Sequence, residues 1–124
     1  MPSQHRIHHT LYNAKTRMTD PGNGGNIRVT EDLQILEMVS AAAETRTLAA
    51  PTKSGIRFVL RLMTDGGDVV VTAANGFNAL GETAARFADA SDLLQLCSVE
   101  YSAGPPKTYR WEVMEGNTGV TISA

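Results

Sequence analysis

The sequence predicts an all-β fold: a single-domain antiparallel β-sandwich of jelly-roll type, with an extended N-terminal arm. Three observations predict it. Apolar and polar residues alternate with a period of two in several short runs, as they do on a half-buried strand. Turn residues punctuate the chain at intervals of about ten residues, giving roughly eight short strand candidates. The 124 residues, 42% of them apolar, suit one domain with a real core. The boundary falls at a dense loop signal, so residues 1–25 are read as the arm and 26–124 as the domain.

The arm carries His5, Arg6, His8, His9, Asn13, Lys15 and Arg17, and its apolar residues show no sustained period. It closes with Asp20-Pro21-Gly22-Asn23-Gly24-Gly25-Asn26. Ile27-Arg28-Val29 is a short strand candidate. The run 31–44 fits either a strand or a helix, and its β-rich surroundings favour a strand. Thr45-Arg46-Thr47-Leu48 alternates as a strand that must end before Pro51 or lie at an edge there, because proline donates no ladder hydrogen bond.

The central feature is Gly55–Thr72, read as a hairpin. Phe58, Leu60 and Leu62 share one face, while Arg57, Val59 and Arg61 share the other. Asp65-Gly66-Gly67-Asp68 supplies the turn, with glycine tolerating positive φ, and Val69–Val71 returns. Ala84–Ala88 is a short strand. In Leu93–Tyr101, Leu93, Cys97, Val99 and Tyr101 share one parity, and Leu94 and Leu96 the other, so both faces are expected to be covered in part. Tyr109, Trp111 and Val113 alternate with Arg110, Glu112 and Met114. Val120-Thr121-Ile122 ends the fold, with Trp111 as its expected core anchor.

Composition narrows the function classes. A net charge of −2 lacks the basic footprint of a nucleic-acid-binding domain. The charge is uneven: residues 1–25 carry +2 and residues 26–124 carry −4. A lone cysteine, Cys97, excludes an internal disulfide and reads as a small buried hydrophobe. No apolar run follows the first basic residues, and none approaches the roughly 20 residues of a membrane helix. The reading is therefore no signal peptide, no membrane contact and cytoplasmic synthesis.

Residue chemistry argues against an enzyme. His5, His8 and His9 are the only histidines, so a Ser–His or Cys–His pair would need the arm to reach back. They lack the ligand set of a zinc site. Asp65 and Asp68 lack the oxygen series of a calcium loop and read as turn residues. No cofactor is expected. Gly22-Asn23-Gly24-Gly25 follows no strand and is not a phosphate loop.

The order of features after Ala43 resembles a known family. Thr45-Arg46-Thr47-Leu48, Pro51 and Gly55 come first, followed by Ile56-Arg57-Phe58-Val59-Leu60 and Asp65-Gly66-Gly67-Asp68-Val69-Val70-Val71. An apolar strand at Leu93–Val99 then leads to Tyr109-Arg110-Trp111-Glu112-Val113. Over roughly residues 44–123 this is similar to the small β-domain decoration, or cement, proteins of tailed-bacteriophage heads. The resemblance implies a non-enzymatic structural virion protein on the capsid exterior, a homotrimer whose partner is the major capsid protein. It carries over no functional residue. The expected partner-binding residues come instead from the arm: Arg6, His8, His9, Leu11, Tyr12, Lys15 and Arg17. The alternative is a tail or fibre module that binds a host surface glycan through exposed aromatics.

Overall fold

A computed structural model describes residues 16–115 and 117–124. Ten strands form two facing sheets: β1 (Thr16–Met18), β2 (Gly25–Ile27), β3 (Gln34–Ser40), β4 (Glu44–Leu48), β5 (Arg57–Asp65), β6 (Val69–Ala73), β7 (Ala84–Phe87), β8 (Leu93–Ser102), β9 (Thr108–Val113) and β10 (Thr121–Ser123). Sheet I has the order β1-β3-β5-β8-β9, and sheet II the order β10-β7-β6-β4-β2. The ambiguous run at 31–44 is strand, not helix.

The chain changes sheet after β1, β3 and β5, so three arches stack on one another. β1, β3 and β5 therefore run parallel, as do β2, β4 and β6. The direction reverses at β7, and the remaining pairs are antiparallel. The all-β sandwich expectation holds, but the sheets are mixed. The antiparallel, jelly-roll expectation is corrected.

The Gly55–Thr72 segment shows why. It turns at Asp65–Asp68, but β5 and β6 do not pair with each other. β5 pairs with β3 and β8, and β6 pairs with β4 and β7. The turn is an arch between sheets rather than a hairpin within one. Its glycines also work differently from the expectation, which invoked positive φ. A Cβ on Gly66 would lie 2.4 Å from the Ser40 carbonyl oxygen, and one on Gly67 would lie 2.3 Å from the Ala42 carbonyl carbon. Absence of a side chain lets the third arch sit directly on the second.

Between the sheets lies one apolar core. Leu36 and Met38 from β3, Phe58, Leu60 and Leu62 from β5, and Leu94 and Leu96 from β8 meet Leu48, Val69, Val71 and Phe87 from sheet II. Trp111 anchors it as expected. Its ring lies 6.1 Å from Phe58, and its indole N–H donates to the Ala49 carbonyl at 3.0 Å. In β3 the inward parity is that of Leu36 and Met38, which leaves Ile35, Glu37 and Val39 facing outward.

Residues 16–25, assigned above to the arm, enter the sheets. Thr16–Met18 pairs in parallel with Gln34–Leu36, and Gly25 opens β2 beside Arg46. Three residues are too few to show a period, so β1 left no signal in the sequence.

Candidate interaction face

Sheet I carries apolar residues on both of its faces. Alternation in β5 sends Phe58, Leu60 and Leu62 inward and Val59, Arg61 and Met63 outward. Register then places Arg17, Ile35, Val59 and Gln95 in one outward row across four strands. Ile35 and Val59, at the middle of that row, are only 2% and 3% exposed although they point away from the core. Beside them stand Glu37 and Arg61, which also face each other in register. Long polar side chains of this kind lay their methylene stems along apolar neighbours.

The edges of this face are less covered. Val39 is 54% exposed, Met63 42% and Tyr101 46%. All three lie on strands of sheet I. Leu93, Cys97 and Val99 complete the outward parity of β8 and are half-buried. The sequence expectation that both faces of β8 are covered in part is met.

Charges around the face are engaged within the chain. Arg17 pairs with Glu37. Arg57 grips Asp32 with two prongs, Nε to Oδ1 at 3.2 Å and Nη2 to Oδ2 at 2.6 Å, and its backbone N–H adds a third bond at 2.8 Å. The Arg57 guanidinium holds the Asp32 carboxyl below the usual carboxylate range, against a smaller opposing effect of burial. Arg110 bonds Glu112 at 2.5 Å and lies over the Tyr101 ring, 5.4 Å from its centre, a cation–π arrangement.

Sheet II presents a different outer face. Asn26, Thr47, Thr72 and Ser123 lie in one outward row, and all are exposed. A shallow cleft of about 300 Å³ at its β2 end is lined by Asn26, Arg28, Thr47 and Ala49. This face is mainly hydroxyl and amide, and it bears no strongly exposed large apolar residue among those described.

The root of β1 is fixed by a buried cation. Arg46 shares parity with Leu48, so it points inward, and its side chain is fully buried. It donates to Asp20 at 2.7 and 2.8 Å, to Glu44 at 3.1 Å and to the Val39 carbonyl at 3.1 Å. Asp20 also accepts the N–H groups of Val39 and Gly22. Burial works to raise the Asp20 pKa. The Arg46 hydrogen bonds, the two backbone N–H groups and the Arg46 charge outweigh it, and the carboxyl lies below its ordinary value. Parity of Arg46 with Leu48 is the sequence signal for this buried arginine.

Among the expected partner-binding residues, Arg17 lies in β1 at the rim of the sheet I face. Arg6, His8, His9, Leu11, Tyr12 and Lys15 lie outside the described residues, as does His5. Cys97 corrects an expectation. It is half-buried on the outer face, opposite Arg57 and Glu112, and is not a core residue. Its outward parity, opposite that of Leu94 and Leu96, is the reason. Asp65 accepts the Gly67 N–H, and Asp68 pairs with Arg86 at 3.0 Å, so both serve the turn and its flank. Among the described residues no group of three His, Cys, Asp or Glu side chains is placed to hold a metal.

No protein-family model and no curated protein matches this chain.

Proposed function

We propose that the protein is a non-enzymatic structural virion protein that binds the exterior of a tailed-phage capsid and stabilises it as a trimer. One observation carries the reading furthest. Exposed apolar side chains stand at both ends of sheet I, Val39 and Met63 at one and Tyr101 at the other, with the sealed Ile35–Val59 centre between them, and Leu80 is exposed in the β6–β7 connection. Such a face serves association between macromolecules. The likeness of residues 44–123 to head decoration proteins supplies the kind of partner, the major capsid protein. Synthesis in the host cytoplasm and residence on the capsid exterior follow from that partner.

Residues 1–15 lead into β1 at the edge of sheet I and add the basic and apolar groups expected to engage the shell. A trimer multiplies such contacts through effective concentration. Of the aromatics that the glycan-binding alternative would use, Trp111 is buried and Tyr109 half-buried, while Tyr101 is exposed with Arg110 over its ring.

Co-sedimentation tests the proposal. The full chain is mixed with capsids assembled from the major capsid protein encoded nearest its own gene. Saturable pelleting at a fixed copy number per capsid supports it. Protein that stays in the supernatant at micromolar concentration refutes it.

A further inference from the structure

We infer that the open edge of β2 takes up an extended, carboxylate-bearing segment of another protein as an added strand. This goes beyond the proposed function, because it names a surface away from sheet I and a recognition chemistry that does not depend on a capsid.

The backbone supplies the first observation. β2 ends sheet II, and among the described residues no strand pairs with its far side. The Ile27 carbonyl accepts the Ala49 N–H at 2.9 Å, so the peptide groups of Ile27 face β4. Along a strand the N–H and C=O groups of successive residues point to opposite sides, so those of Asn26 and Arg28 face the open edge. Such an edge is a template for a further strand.

Side chains supply the second. Beside this edge lies the cleft of about 300 Å³ lined by Asn26, Arg28, Thr47 and Ala49. Arg28 is exposed. Arg17, Arg46, Arg57, Arg86 and Arg110 are each in an ion pair within the chain, whereas Arg28 is in none among the described residues. On the core side, Met18 and Val29 pack against the apolar cluster but are only half-buried. An added strand with alternating side chains meets both surfaces. A carboxylate on one parity reaches Arg28, and an apolar side chain on the other covers Met18 and Val29.

Charge selects the occupant. Residues 1–15 contain Arg6 and Lys15 and no acidic residue, so they bring like charge to Arg28. A second copy joined edge to edge brings another Arg28 and, over residues 22–30, no carboxylate. A segment bearing Asp or Glu instead offers the guanidinium a two-pronged partner.

The experiment titrates the isotope-labelled full chain, observed by amide NMR, with the peptide acetyl-Thr-Asp-Val-Asp-Val-Asp-Thr-amide and with its counterpart carrying Lys in place of each Asp. The acidic peptide is expected to shift the Asn26 and Arg28 amide signals saturably and to bind at least about tenfold more tightly than the Lys peptide. Arg28→Glu is expected to reverse that preference. Arg86→Glu, at an exposed arginine elsewhere on sheet II, is expected to leave it unchanged. Asn26→Pro removes an N–H that β4 does not use and is expected to abolish binding of both peptides. Trp111 emission checks that each variant is folded, and where Asn26→Pro is not, the charge reversal decides.

No shift at millimolar peptide, equal affinity for the two peptides, or shifts confined to β1, β9 or β10 would overturn the inference. So would protection of the Asn26 and Arg28 amides from hydrogen exchange before any peptide is added. Protection that survives dilution and vanishes without residues 1–15 assigns the edge to those residues, and protection lost on dilution assigns it to a second copy. Capsid pelleting enters none of these outcomes, so this inference and the proposed function fail separately.

Discussion

Arg46 and Asp20 meet in a two-pronged ion pair, Nε to Oδ1 at 2.7 Å and Nη2 to Oδ2 at 2.8 Å, that joins the first arch to the second. The arginine is fully buried, while the carboxylate retains some contact with water. That difference makes their substitutions unequal. Asp20→Ala strands a buried cation and frees the N–H groups of Val39 and Gly22, at an expected cost of about 3 kcal/mol. Arg46→Met fills the same space and leaves the Asp20 and Glu44 carboxylates with their backbone N–H partners, at an expected cost of about 1–2 kcal/mol. Urea unfolding followed by Trp111 emission measures both. Equal costs, or the reverse order, would contradict this account of the pair.

Acid should loosen the same junction. The carboxyls of Asp20, Glu44 and Asp32 all titrate below their ordinary values. In Asp20 the hydrogen bonds and charge of Arg46, with two backbone N–H groups, overcome burial. In Glu44 the Ala41 N–H leads, and in Asp32 the Arg57 guanidinium. A carboxyl depressed in the folded state contributes stability that is fully present above its unfolded pKa and is lost as pH falls through its folded one. Stability from these groups should therefore be flat from pH 7 to about 5 and decline below the ordinary values of 3.8 for Asp and 4.5 for Glu. Urea midpoints at pH 7, 5 and 3 measure it. A loss already complete at pH 5 would point to other groups.

Gly67 tests the stacking of the arches. Its Cβ would sit 2.3 Å from the Ala42 carbonyl carbon and 2.5 Å from the Ala43 nitrogen, and both are backbone atoms of the arch beneath. Gly67→Ala must push the two turns apart, at an expected cost of about 2 kcal/mol. Gly22→Ala meets nothing within 4 Å but holds φ at +80°, and its expected cost is about 1 kcal/mol. Thermal melts rank the two variants, and a harmless Gly67→Ala would disprove the close stacking.

Truncation separates the terminal residues from the first arch. Removing residues 1–15 leaves β1 and Asp20 in place, so the melting temperature should change by less than about 3 °C. Removing residues 1–20 deletes β1 and strands Arg46, and should lower it by roughly 10 °C. Matching melts for the two truncations would show that β1 and the Arg46 junction add little.

Local patterning made much of the fold legible. The period of two assigned Phe58, Leu60 and Leu62 to the core and placed Arg57 and Arg61 on the other face. It also marked the turn at Asp65–Asp68. It did not reveal that β6 leaves for the opposite sheet, because a hairpin and an arch share the same turn residues and the same alternation. Only long-range pairing with β3 and β4 distinguishes them. β1 escaped for want of length. Arg46 escaped because its carboxylates lie 26 and 2 residues away, and sequence spacing does not show that Asp20 closes over it. The interaction face was partly visible in the double-sided β8 and in Arg61. Its exposed members, Val39 and Met63, became apparent only when sheet I was assembled.

The proposed role of this protein is reinforcement of a capsid. Its most direct test is the temperature at which DNA-filled particles lacking decoration protein release their DNA to an intercalating dye, with and without the full chain. A saturable rise of several degrees is expected, and it is lost in the variant without residues 1–15. An unchanged release temperature at saturating protein would contradict it.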